Sequence, residues 1–194
     1  MSIVIPGVSG VVMVPGLAGC MDARQWMFQR VGVHYQRCTR EVAAEMFEAI
    51  VNYKRRHDGN APSVRQLCAA LGYSSPSGAH AIVEVLIGEG WLVRGGKRAR
   101  YLCVPGGSWR YIGPEPDGVS YEALDAFDAI CDFKQDNDGN SPTAVEVAEL
   151  CEFSSASIAH AAITELLDAG LLSRPESHTA RRLEVKGGQW LWSP

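Results

Sequence analysis

The chain has 194 residues, of which 46% are hydrophobic and 21% charged, with a formal net charge of −4; this is the balance of an ordinary globular protein. No uninterrupted apolar run approaches transmembrane length, which excludes a helical membrane protein and leaves no membrane partner. Charge is unevenly spread: residues 1–40 carry +3, residues 41–109 carry +2 and residues 110–194 carry −9.

The first twenty residues are apolar, but Pro6, Gly7, Gly10, Pro15, Gly16 and Gly19 interrupt them, and no basic segment precedes Ile3. A signal peptide fits poorly, so residues 1–38 read as an arm of short strands or loop with a short helix. The cysteines are Cys20, Cys38, Cys68, Cys103, Cys131 and Cys151, without a Cys-x-x-Cys pair. None is duplicated with the repeat described next, as a disulfide framework or zinc site would be; reduced thiols in a cytoplasmic protein are expected. His34 and Cys38 are too few to make a metal site.

From Glu41 the chain runs through one pattern twice. Asp58-Gly59-Asn60 returns as Asp138-Gly139-Asn140, Ser74-Ser75 as Ser154-Ser155, and Ala79-His80-Ala81 as Ala159-His160-Ala161. The register slips by one residue near Arg174, after which Gly106-Gly107 and Trp109 return as Gly187-Gly188 and Trp190. A unit of about 70 residues is too long for a solenoid repeat and reads as one small domain duplicated.

Within each copy the spacing predicts three helices and a hairpin. The first helix covers about Thr39 to His57, with Met46, Phe47, Ile50 and Val51 on its apolar face and Asp58-Gly59-Asn60 as its stop. Ser63-Val-Arg-Gln66 and Thr143-Ala-Val-Glu146 have capping-box spacing and open a second helix. Gly72 ends that helix in the first copy; Glu152 holds the position in the second, so a different closure is expected there. The third helix opens at Ser75-Pro76, and β-rich runs at Trp91–Val93 and Tyr101–Val104 flank a Gly-containing turn. The expected fold class is α+β, mainly helical with small hairpins, as two tandem winged helix-turn-helix domains. They cover 39–110 and 120–194, joined by a Pro-rich linker at 111–119 that restricts their relative orientation.

The run from Pro62-Ser63 through Leu71-Gly72-Tyr73, Ser74-Ser75-Pro76-Ser77, Leu86 and Gly90 resembles the N-terminal DNA-binding domain of LexA-type repressors, and the likeness covers each repeat. The resemblance implies that the third helix reads the major groove of double-stranded DNA through Ser75, Ser77, Gly78, His80 and Ala81. In the second copy the matching positions are Ser155, Ser157, Ile158, His160 and Ala161. The family's polar, partly acidic readers are small residues plus His here, so its sequence preference does not carry over. The self-cleaving C-terminal domain is missing, and with it any support for a LexA-like switch.

Chemistry agrees with that placement, because serine hydroxyls and free amides at a helix N-terminus suit phosphate and base edges. His80 and His160 have a second reading, as surface histidines packed against the hairpin. Arg94, Lys97, Arg98 and Arg100 make the first wing basic, as phosphate or minor-groove contact requires; a solvated turn is the alternative. Lys54-Arg55-Arg56 adds backbone contacts or is a solvated helix end. The second wing carries Arg174, Arg181 and Arg182 but also Glu176. Asp117, Glu122, Asp125, Asp128, Asp132, Asp136 and Asp138 surround it, an acidic surface suited to a basic protein or to homodimerisation, or simply solvated. Trp109 and Trp190 read as closing each small core, with stacking on single-stranded bases as the alternative.

No phosphate loop, nucleophile elbow or metal-ligand spacing is present, so neither an enzyme nor a cofactor is expected. Three functions remain: a sequence-specific transcriptional regulator associated with the nucleoid, a plasmid- or phage-type replication initiator, and a protein–protein adaptor that no longer binds DNA.

Overall fold

The computed structural model describes residues 3–4, 11–12, 39–95, 101–174 and 182–193. Two short strands near the amino terminus, β1 (Ile3–Val4) and β2 (Val11–Val12), pair antiparallel with Ile3 opposite Val12. The remainder of the expected arm lies outside the described residues, as do Lys97, Arg98, Arg100 and Arg181.

The described chain is α+β, with six helices and short antiparallel strands. α1 (Arg40–Arg56) starts where Thr39 accepts from the Val42 amide and buries Ala43, Met46, Phe47, Ile50 and Val51. α2 (Val64–Leu71) opens on the complete Ser63–Gln66 capping box, which satisfies two otherwise orphaned amides. α3 (Pro76–Gly88) begins at Ser75, whose side chain accepts from the Ser77 amide, and turns Ala79, Ile82, Val83 and Leu86 inward. β3 (Val93–Gly95) and β4 (Tyr101–Cys103) form the hairpin, followed by β5 (Gly107–Tyr111).

The second copy repeats the order as α4 (Tyr121–Asp136), α5 (Ala144–Leu150), α6 (Ala156–Asp168), β6 (Leu172–Ser173), β7 (Glu184–Val185) and β8 (Gly188–Trp192). Its equivalent turn closes in part as expected: α5 ends one residue sooner with Cys151 as its C-cap, and the Glu152 amide reaches Glu149 O at 3.4 Å where the Gly72 amide reaches Cys68 O. Glu152 adopts φ 55° where Gly72 has φ 70°, and the Phe153 amide reaches Ala148 O at 2.9 Å as Tyr73 reaches Cys68 O at 3.0 Å. The left-handed position is kept although a side chain there costs roughly 1 kcal/mol.

The last strand of each repeat joins the two copies. β5 pairs antiparallel with β8, with Trp109 opposite Trp190, Gly107 opposite Trp192 and Tyr111 opposite Gly188. Because Trp109 and Trp190 are equivalent in the repeat, this register is its own mirror image about their pairing, the mark of an internal two-fold. Each strand packs on the other copy's first helix: β5 on α4 and β8 on α1. Phe47 meets Trp192 with ring centroids 5.4 Å apart, and Tyr111 meets Phe127 at 5.3 Å. The paired tryptophans therefore sit in a shared core, which corrects the expectation that each closes its own. Both rings are buried, and neither is available to stack on a base.

Candidate nucleic-acid interface

Ser75, Ser77, His80 and Ala81 are all exposed and Gly78 is half-buried, so the fold gathers the first copy's expected readers at the amino-terminal end of α3. The helical repeat produces this face, since Ala79, Ile82 and Val83 occupy the stripe against the core. Ser75 Oγ and Ser77 Oγ are 2.6 Å apart, so one hydroxyl hydrogen is shared between them. His80 is more than half exposed and faces Glu84 at 3.5 Å rather than packing on the hairpin. Glu84 also pairs with Arg94 of β3, tying the helix to the β3–β4 hairpin. Arg94 is thus a partnered cation, and the basic character expected of the wing rests on Lys97, Arg98 and Arg100.

The second copy presents the same face with different chemistry. Ser155, Ser157, His160 and Ala161 are exposed and Ile158 is half-buried, but Ser155 makes no side-chain cap hydrogen bond. Thr164 replaces Glu84 and its hydroxyl donates to His160 O at 2.8 Å. Arg174 is exposed. Arg182 is not a wing cation: its guanidinium lies over the Tyr53 ring, 5.4 Å from the centroid, and donates to the Tyr53 hydroxyl across the seam. It is held there because β7 of the second copy runs beside α1 of the first.

The acidic surface is largely as expected. Asp117, Glu122, Asp125, Asp128, Asp132 and Asp136 are exposed, and the last four lie along α4. Partial burial, then the charges of Asp132, Asp125 and Glu115, hold the Asp128 carboxyl above its ordinary range. Asp138 is an exception, being buried and fully engaged.

That exception belongs to a polar junction on the two-fold, in which most interactions occur twice; the Ser141 hydroxyl, which contacts Lys134, Asn60 and Leu183, has no counterpart because Ala61 stands in its place. Lys54, expected on a solvated or DNA-facing helix end, is fully buried; its ammonium contacts Asp138 at 3.2 Å and donates to Gly59 O at 2.5 Å and Leu102 O at 3.3 Å. Lys134 reaches Asp58 at 3.2 Å, Gly139 O at 2.7 Å and Leu183 O at 3.3 Å. Asp58 also accepts from Trp109 Nε1 at 2.5 Å and the Val185 amide at 2.7 Å; Asp138 accepts from Trp190 Nε1 at 2.6 Å and the Val104 amide at 2.7 Å. Asn60 Oδ1 accepts from the Ser141 amide and Asn140 Oδ1 from the Ala61 amide, both at 3.1 Å.

Burial dominates the titration of this cluster. It pushes Asp58 and Asp138 up and lowers both lysines, Lys134 to about 8, while each partner's opposite charge pulls the other way. No buried side-chain polar atom among the described residues lacks a partner. Such an arrangement sets geometry rather than chemistry: a paired, hydrogen-bonded charge set is weakly stabilising as a whole but costly to break. Duplication of Asp-Gly-Asn at a predicted helix end was the available sequence signal for it, together with a lysine four residues before each aspartate.

The four described cysteines are unpaired, and burial followed by Asp128 pushes the Cys131 thiol up to about 12, away from nucleophilic reactivity. Among the described residues, no helix is long and apolar enough to cross a membrane. No protein-family model, curated protein or solved structure matches this chain.

Proposed function

We propose that this chain is a sequence-specific double-stranded DNA-binding protein, a transcriptional regulator built from two winged helix-turn-helix units. The amino-terminal half of α3 enters the major groove and the β3–β4 wing contacts the phosphate backbone. The observation that carries the reading is the exposed, small-residue face of Ser75, Ser77, Gly78, His80 and Ala81, tied through Glu84–Arg94 to a hairpin whose turn holds three further cations. Small side chains let a helix approach base edges closely, and a positive dipole end favours the phosphates. The second copy adds a weaker contact through Ser155, Ser157, His160 and Arg174.

A second reading, association with a basic protein, rests on the exposed Asp125, Asp128, Asp132 and Asp136 along α4. Selection of bound duplexes from a random pool separates the two. Wild type should enrich a motif, and Arg98→Ala/Arg100→Ala should bind more weakly with a salt slope lower by about 2 units. No enrichment, with feeble salt-sensitive binding that the variant shares, would reject specific DNA recognition in favour of the protein partner.

A further inference from the structure

Exchange of the last strands creates a cleft that belongs to neither repeat alone. It encloses about 500 Å³ between the carboxyl end of α1 and the β6–β7 hairpin with β8, and Arg55, Arg56 and Lys186 stand on its walls. All three cations are exposed. Arg55 lies over the Trp192 ring at 5.9 Å and Arg56 Nε donates to Asn52 O at 3.2 Å; among the described residues, none of the three has a carboxylate within ion-pair distance. The two acids in the lining are already engaged, Asp58 by Lys134 at 3.2 Å and Glu184 by His57 at 2.9 Å. Among the described residues the cleft therefore keeps a positive surplus, three cations against two acids that are already engaged.

The internal two-fold supplies a control within the molecule. The positions equivalent to Arg55, Arg56 and Lys186 are Gln135, Asp136 and Pro105, so the mirror side carries no cation there. The shared core is preserved across the two-fold while this charge is not, so nothing in the packing demands three cations.

We infer that the cleft lined by Arg55, Arg56 and Lys186 is a second phosphate-backbone contact for duplex DNA, placed beside the second wing by strand exchange. This rests on the DNA reading above. It gives the second copy, whose own sequence is strongly acidic, a basic surface in which Arg55 and Arg56 of the first copy join its own Lys186. Arg174, exposed at the end of β6 next to the lining residue Ser173, extends the same edge.

The test compares wild type with Arg55→Gln/Arg56→Gln/Lys186→Gln. It measures the affinity of full-length protein for its selected duplex, for an unrelated duplex and for heparin across a salt series. Because each lost phosphate contact lowers the slope of log K against log salt by about 0.9, the triple variant should lose between about 2 and 3 units on both duplexes and still enrich the wild-type motif. Arg56→Gln/Lys186→Gln leaves the Arg55–Trp192 contact intact and should lose about 2 units, which guards against misfolding of the triple variant. An unchanged slope in folded variants, with wild-type DNA binding retained, would overturn the cleft and leave the DNA reading standing. Absence of duplex binding by wild type would overturn both. Heparin binding without DNA binding would assign the cleft to another polyanion and overturn this proposal.

Discussion

The junction on the two-fold and the outer faces of the third helices descend from the same duplicated sequence, yet they differ in how much has been kept. At the junction Lys54, Asp58, Gly59, Asn60 and Trp109 have the same residue types as Lys134, Asp138, Gly139, Asn140 and Trp190 and share their ion pairs, indole donors and principal carbonyl contacts. On the outer faces Glu84 answers to Thr164 and Pro76 to Ala156, and at the exposed end of α1 the basic Arg55-Arg56 pair answers to Gln135-Asp136. The difference follows from what each region must satisfy. A buried lysine needs a carboxylate and oxygen acceptors around it, whereas an exposed side chain is screened by water and free to change.

Breaking one partner of the junction tests this most severely. Asp58→Ala strands the buried Lys134 ammonium and should cost about 4 kcal/mol in urea denaturation. Asp58→Asn/Lys134→Met should cost well under the sum of its single changes, because it removes both charges together; additive losses would show that the pair is not coupled. Gly59→Ala comes next. Gly59 has φ 80°, and a Cβ there would lie 2.6 Å from Gly139 Cα, backbone against backbone. The strain and the forced separation should together cost about 3 kcal/mol, read by the same denaturation. Gly90→Ala shares a positive φ but meets nothing within 4 Å, and so isolates the conformational part, about 1 kcal/mol.

Stability against pH sharpens the comparison further. Lys134 is lowered to about 8 by burial, below its unfolded value, so between about pH 8 and the ordinary lysine range the unfolded chain binds more protons. Its contribution to stability therefore rises with pH through that window and is lost as pH falls through 8. The thermal midpoint of wild type relative to Lys134→Met should climb between pH 8 and 10, and a flat difference would place Lys134 in a wetter site than the fold gives it. The smallest effect is expected outside the junction. Glu152→Gly relieves the φ 55° turn after α5 and should raise stability by about 1 kcal/mol, measurable as a shifted denaturation midpoint.

Much of the local architecture was legible from the residues alone. The Ser63–Gln66 and Thr143–Glu146 capping boxes form as their spacing requires, Pro76 begins α3, and Gly72 closes α2, because each is set by hydrogen bonds and backbone preferences within a few residues. The exposed face of Ser75, Ser77, His80 and Ala81 was legible for a similar reason, since helical periodicity fixes which side chains oppose the buried stripe. The charge of Lys54 was readable only as a formal sign. Its neighbours Arg55 and Arg56 are exposed while it is fully buried, and no local rule separates the three.

The duplication, the helix boundaries and the exposed face of α3 follow from the sequence, because turns, caps and apolar periodicity act over short range. Which strand pairs with which, and therefore which helix borders which hairpin, was decided only in the tertiary structure. β5 and β8 reach past their own helices because the Asp58 and Asp138 carboxylates each need donors from both copies: a tryptophan from their own repeat, and an amide and a lysine from the other. Satisfying those buried charges fixes the two-fold. It also carries the basic end of α1 to the acidic repeat, so that charge counted along the chain is not charge as a ligand meets it.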